Sequence, residues 1–145
     1  MIYEFCAENV TLLEKAMQAG ARRIELCDNL AVGGTTPSYG VTKAAVELAA
    51  NYDTTIMTMI RPRGGDFVYT DLEIAIMLED IRLTAQAGSQ GVVFGTLTAD
   101  KKLDKTNLEK LIAASKGMEI VFHMAFDELS DEDQLEAIDW LSQAG

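Results

Sequence analysis

Five times in succession this 145-residue chain passes from a short apolar run into a longer segment of helical period. The apolar runs cover residues 2–6, 22–26 or 27, 54–60, 91–94 and 119–123. Between them, apolar side chains recur at helical spacing: Leu12, Leu13, Ala16 and Met17, then Val41, Ala44, Ala45 and Leu48, then Ile74, Leu78, Ile81 and Ala85. Start signals support the assignment. Ser38 suits an N-cap, Thr70 with Glu73 and Thr106 with Glu109 read as capping boxes, and Asp131, Glu132 and Asp133 follow Ser130 at the positive end of a helix dipole. Strict alternation of strand and helix predicts a parallel sheet joined by right-handed crossovers.

Two architectures accept a repeat of about 29 residues: a five-stranded doubly wound sheet and an eight-unit (β/α)8 TIM barrel, which needs roughly 230 residues at that repeat. An internal echo favours the barrel. Gln18-Ala19-Gly20 and Gln86-Ala87-Gly88 each end a helix ahead of a strand, and Gln143-Ala144-Gly145 repeats them where a sixth strand is expected. Residues 1–145 are therefore expected to form a single domain, the N-terminal part of a (β/α)8 barrel truncated before its sixth strand. An open sheet of that kind exposes an edge, which predicts instability, aggregation or closure through a second copy as a homo-oligomer.

Charge and cysteine content narrow the function classes. The net charge of −11 offers no footprint for a phosphate backbone, so neither nucleic acid nor an anionic membrane is an expected partner. Apolar runs of five or six residues are too short to cross a bilayer as a helix. The opening Met1-Ile2-Tyr3-Glu4 has no basic or apolar leader character, so a cytoplasmic location is expected. Cys6 and Cys27 are too few for a disulfide scaffold and are expected to stay reduced there.

In parallel α/β folds chemistry sits at the carboxyl ends of the strands, and the unusual residues of this chain collect there. Period-two alternation places Glu4 with Cys6, Glu25 with Cys27, and Met57 and Met59 with Arg61 on one face. The opposite face carries Tyr3, Phe5, Ile24, Leu26, Ile56, Thr58 and Ile60 and suits packing against helices. Cys6 and Cys27 are expected at matching ends of neighbouring strands, close enough for two soft thiolates to share a thiophilic metal. Unpaired cysteines are also at home as small buried hydrophobes. Arg61 and Arg63, ahead of Gly64 and Gly65, suit an anion held by guanidinium forks and backbone amides, or an internal ion pair with Glu4, Glu25 or Asp66. The single histidine, His123, can act as acid, base or ligand, with Asp127 placed to orient it. No Gly-rich signature supports a nucleotide cofactor.

Several of these runs together resemble the CutC family of copper homeostasis proteins. They are Glu25-Leu26-Cys27 with Leu30, Gly33-Gly34 and Thr36-Pro37-Ser38, the segment from Met59 to Tyr69, Gly91-Val92-Val93-Phe94-Gly95 with Leu97, and Phe122-His123 with Ala125-Phe126-Asp127. The resemblance implies a cytoplasmic (β/α)8 barrel associated with copper, with copper(I) bound by Cys6 and Cys27. One position departs from the pattern: Met124 stands where the family usually has arginine. A barrel mouth with glutamate, arginine, histidine and aspartate also fits an enzyme acting on a small anionic (phosphate or carboxylate) metabolite. In that reading Arg61 and Arg63 hold the anion, and Glu25, His123 and Asp127 are the catalytic candidates.

Overall fold

A computed structural model describes residues 1–144, so Gly145 of the last Gln-Ala-Gly lies outside the described residues. Five strands run β1 (Glu4–Glu8), β2 (Arg23–Cys27), β3 (Thr55–Met59), β4 (Gly91–Phe94) and β5 (Glu119–Phe122). They alternate with helices α1 (Leu13–Gln18), α2 (Tyr39–Ala49), α3 (Asp71–Ala87), α4 (Lys105–Ala114) and α5 (Asp131–Ala144). All four pairings are parallel and the strand order is β1-β2-β3-β4-β5. That order decides between the two architectures. A doubly wound sheet reverses direction at a switch point, whereas here every crossover advances the same way, as in the wall of a barrel.

Helix ends follow their capping chemistry. Ser38 Oγ accepts from the Val41 amide to start α2, and Thr70 and Glu73 form the expected reciprocal capping box of α3. The expected box at Thr106 and Glu109 does not form. Helix α4 instead begins one turn fraction earlier on Asp104, whose carboxylate accepts from the Asn107 amide and side chain. A carboxylate is the stronger acceptor and also complements the helix dipole. Helix α1 is shorter than its apolar pattern suggests, because Asn9 and Leu12 adopt left-handed backbone conformations and interrupt it.

The two faces of the sheet divide as alternation requires. Ala7, Ile24, Leu26 and Ile56 pack with Leu13 and Met17 of α1 and Ala45 and Ala49 of α2. Ile60, Val92 and Phe94 pack with Ile74, Met77 and Ile81 of α3 and Leu108 and Leu111 of α4. The buried stripes of α2 and α3 are rotated by about one position from expectation, onto Thr42-Ala45-Ala49 and Ile74-Met77-Ile81-Thr84. The inner face carries Cys27, Met57, Met59 and Val93 with Val121 beside them. Burial on both faces makes β3 and β4 almost continuously apolar.

Candidate functional site

The inner face of β1 and β2 brings three soft or anionic donors together. Cys6 stands opposite Glu25 in the sheet register, and Cys27 stands opposite Glu8. The two cysteines are therefore not at matching positions, as alternation alone suggested, but diagonal to one another. Parallel strands are joined by a long crossover, and the register it sets is invisible to a local pattern. Their sulfurs nonetheless approach to 4.0 Å, and Glu25 Oε1 lies 3.6 Å from Cys6 Sγ and 3.8 Å from Cys27 Sγ. A point equidistant from these three atoms lies about 2.2 Å from each, beside ~2.3 Å for zinc–thiolate and ~2.0–2.2 Å for zinc–carboxylate bonds.

Local environment sets the protonation order of this trio. Burial, and then the negative charge of Glu4, pushes the Glu25 carboxyl above the usual range. A hydrogen bond from the Cys27 thiol holds the exposed Cys6 below the ordinary thiol value. The fully buried Cys27 is pushed up by the same hydrogen bond and by burial. Cys6 is thus the first thiolate to form. Gly34 closes the inner side: with φ at +87 to +89° it and Gly33 are left-handed, and a Cβ on Gly34 would sit 3.0 Å from Cys27 Sγ and 3.6 Å from the Met59 methyl. The expectation of Glu25 as an acid or base overlooked this second capacity. Its i, i+2 relation to Cys27 was the available signal.

A second cluster lies at the ends of β3 and β5. Arg61 is 2% exposed, and its guanidinium donates to the carbonyls of Val32 (2.8 Å), Gly34 (3.0 Å) and Gly65 (2.8 Å). Its plane rests 4.8 Å from the Phe67 ring centre, and the His123 ring lies 5.0 Å from the same ring. Of the two arginines expected to bind an anion or form an internal ion pair, only Arg63 makes the ion pair. Arg63 donates to Glu73 at 2.5 Å and to Asp66 at 3.0 Å, and it packs over Tyr69. Gly64 packs against Val32, and Gly65 offers its carbonyl to Arg61. His123 Nδ1 accepts from the Ala125 amide at 3.2 Å, so the backbone orients the ring while Asp127 stands exposed nearby. Burial, and then the charge of Arg61, lowers the His123 pKa to about 4. Phe67, which joins the two groups, carried no sequence signal, because an aromatic in a loop reads as ordinary core. Met124 is 40% exposed and its thioether lies over Gly33 beside the Arg61 guanidinium.

Among the described residues no helix is long and apolar enough to cross a membrane. The family model for the CutC family matches residues 1–145. The chain is 53% identical over all 145 residues to the family protein CutC of Enterococcus faecalis and 52% identical to that of Streptococcus pyogenes, spanning 69% of each relative's length. A crystal structure from Streptococcus agalactiae, of a protein named as the copper homeostasis protein CutC, superposes with a TM-score of 0.93 at 49% identity. The match covers 97% of this chain and 67% of that one. CutC is a TIM-barrel family, so the five-stranded wall seen here is part of such a barrel. The chain belongs to the CutC family.

Proposed function

We propose that this chain binds copper(I) as cargo through the thiolates of Cys6 and Cys27, with the Glu25 carboxylate as third donor. The observation that carries the reading is the convergence of these three donor atoms within 4.8 Å of one another. Two thiolates favour a soft, thiophilic ion over magnesium or calcium. Near-equal spacing of the three donors suits a three-coordinate ion better than the four-ligand tetrahedron of a structural zinc site. Binding is stepwise: Cys6 is exposed and ionises first, so it captures the ion, and Cys27 then releases its proton as its sulfur engages. The half-buried Glu25 supplies a carboxylate oxygen next to the ion, at a position where burial and Glu4 raise its pKa. This reading places residues 1–145 as the N-terminal five units of a single barrel working in the cytoplasm, where thiols stay reduced.

Competition of the protein against a colorimetric copper(I) chelator tests the assignment, comparing the natural chain with Cys6→Ser/Cys27→Ser. The double variant is expected to lose the competition and Glu25→Gln to weaken it. Equal copper(I) affinity in the natural chain and the double variant would overturn the reading.

A further inference from the structure

Four buried side-chain polar atoms have no hydrogen-bond partner among the described residues: Arg61 Nε, Tyr69 Oη, Thr96 Oγ1 and His123 Nε2. All four belong to segments that follow the carboxyl ends of β3, β4 and β5, whereas the cysteines lie on β1 and β2. The two groups meet at Gly34, whose carbonyl accepts from Arg61 and whose Cα faces Cys27. Buried polar groups are nearly always paired, so a concentration of orphans in one quarter of a fold asks for a missing partner.

The chemistry of two of these atoms defines that partner. A backbone amide can only donate, so the Ala125 N–H fixes His123 Nδ1 as an acceptor and puts the ring proton on Nε2. With its pKa lowered to about 4, the ring stays neutral at pH 7 and keeps that single N–H. Arg61 Nε–H is likewise a donor and nothing else. Both residues lie against the Phe67 ring, at 4.8 and 5.0 Å. Two buried donors thus stand unanswered on either contact of one aromatic side chain.

Charge points the same way. The Arg61 guanidinium is 2% exposed, its hydrogen bonds go to neutral carbonyls, and no carboxylate among the described residues pairs with it. The nearby acids Asp66 and Glu73 are held by Arg63. A buried cation without a counter-charge is costly, and an incoming anion relieves that cost while supplying the acceptor the orphans lack. Access runs through a cavity of about 590 Å³ whose lining includes Phe67, the ring that contacts both Arg61 and His123. The two acids of that lining, Asp66 and Glu128, are already paired, with Arg63 and Lys101.

We propose that Arg61 and His123, behind Phe67, form a binding subsite for a small oxyanion, the phosphate or carboxylate group of a metabolite, distinct from the cysteine site. Arg61 supplies charge and the Nε–H, His123 supplies a neutral Nε2–H, and displacement of the Phe67 ring admits the ligand. This proposal does not depend on copper binding.

His123 is the only histidine, so its ring resonances in the full chain labelled with 15N-histidine report the subsite without ambiguity. Titration at pH 7 uses three arms at matched ionic strength: inorganic phosphate, malonate and chloride. A saturable shift of the ring signals with phosphate or malonate, absent with chloride, is expected, and the arm that saturates identifies the class of anion. Thermal unfolding with the same salts then compares the natural chain with His123→Asn, which keeps an acceptor for Ala125 but withdraws the Nε2–H. Loss of that one hydrogen bond weakens oxyanion affinity roughly tenfold or more, while Cys6→Ser/Cys27→Ser leaves it unchanged. Ring signals that respond to phosphate and malonate no more than to chloride would overturn the proposal. So would equal oxyanion stabilisation of the natural chain and His123→Asn.

Discussion

The neutral, buried His123 makes the stability of this fold depend on pH in a way that can be isolated from every other titrating group. In the folded chain its pKa falls from an ordinary 6.5 to about 4, first because burial disfavours the imidazolium and second because Arg61 is close. A lowered value for a base means that the unfolded chain binds a proton the native ring refuses. Stability is therefore lost as pH falls through about 6.5 and goes on falling until about 4. At ~1.4 kcal/mol per pH decade the full loss is about 3 kcal/mol, and about 2 kcal/mol has gone by pH 5. That is a large share of the ~5–15 kcal/mol that stabilises an ordinary domain. Urea unfolding followed by the single Trp140 at pH 7 and pH 5, for the natural chain and for His123→Asn, measures it. Carboxylates titrate equally in both proteins, including Glu25, whose raised pKa works in the opposite direction. The difference of differences thus belongs to His123 alone. The natural chain is expected to lose about 2 kcal/mol more than the variant over this interval. Parallel losses would refute the argument that burial and Arg61 keep this ring neutral.

Two further outcomes test the local chemistry. Asp104→Ala removes the observed cap of α4 and is expected to cost about 1 kcal/mol in chemical denaturation, whereas Thr106→Ala changes stability by less than about 0.5 kcal/mol; the reverse ranking would restore the capping box at Thr106. Oxidation tests the diagonal register of Cys6 and Cys27. Strands ~4.8 Å apart and an offset of two residues at ~3.3 Å each put their Cα atoms about 8 Å apart, beyond the ~7 Å limit for an unstrained disulfide. Oxidised glutathione is expected to add once, to exposed Cys6, and mass spectrometry showing instead a ready intramolecular disulfide would contradict the register.

The elements were legible in the sequence wherever a local signal and a tertiary demand coincide. Ser38 and the Thr70–Glu73 box cap their helices as expected, because capping is a contact across three residues and owes little to the rest of the fold. Inner and outer strand faces were legible for the same reason: period-two alternation is fixed by the backbone. At α4 two residues offered alternative helix starts, Asp104 capping the Asn107 amide or Thr106 capping the Glu109 amide, and the carboxylate won over the hydroxyl two residues later. The α2 stripe is rotated by about one position, so that Thr42, Ala45 and Ala49 are buried while Val41 and Leu48 pack at its margin.

The site was legible in membership and not in grouping. Cys27, Arg61, Arg63, His123 and Asp127 lie at or just beyond strand carboxyl ends. Cys6 and Glu25 sit in the middle of β1 and β2, because β1 runs on to Glu8 where the sequence suggests an end at Cys6. The fold then sorts these residues by strand rather than by chemical type. Neighbouring β1 and β2 draw Glu25 away from histidine chemistry and into the thiol pair. The loop after β3 turns Arg61 inward onto carbonyls and Arg63 outward onto Glu73 and Asp66, although the two residues are separated only by Pro62. Two residues apart on a regular strand they would share a face and a role; beyond Met59 the strand has ended, and that periodicity no longer applies. The pairing of charges is consequently what sequence alone reads worst. One arginine satisfies two acids, and the other is left as a buried cation that donates to neutral carbonyls, with no carboxylate among the described residues paired to it.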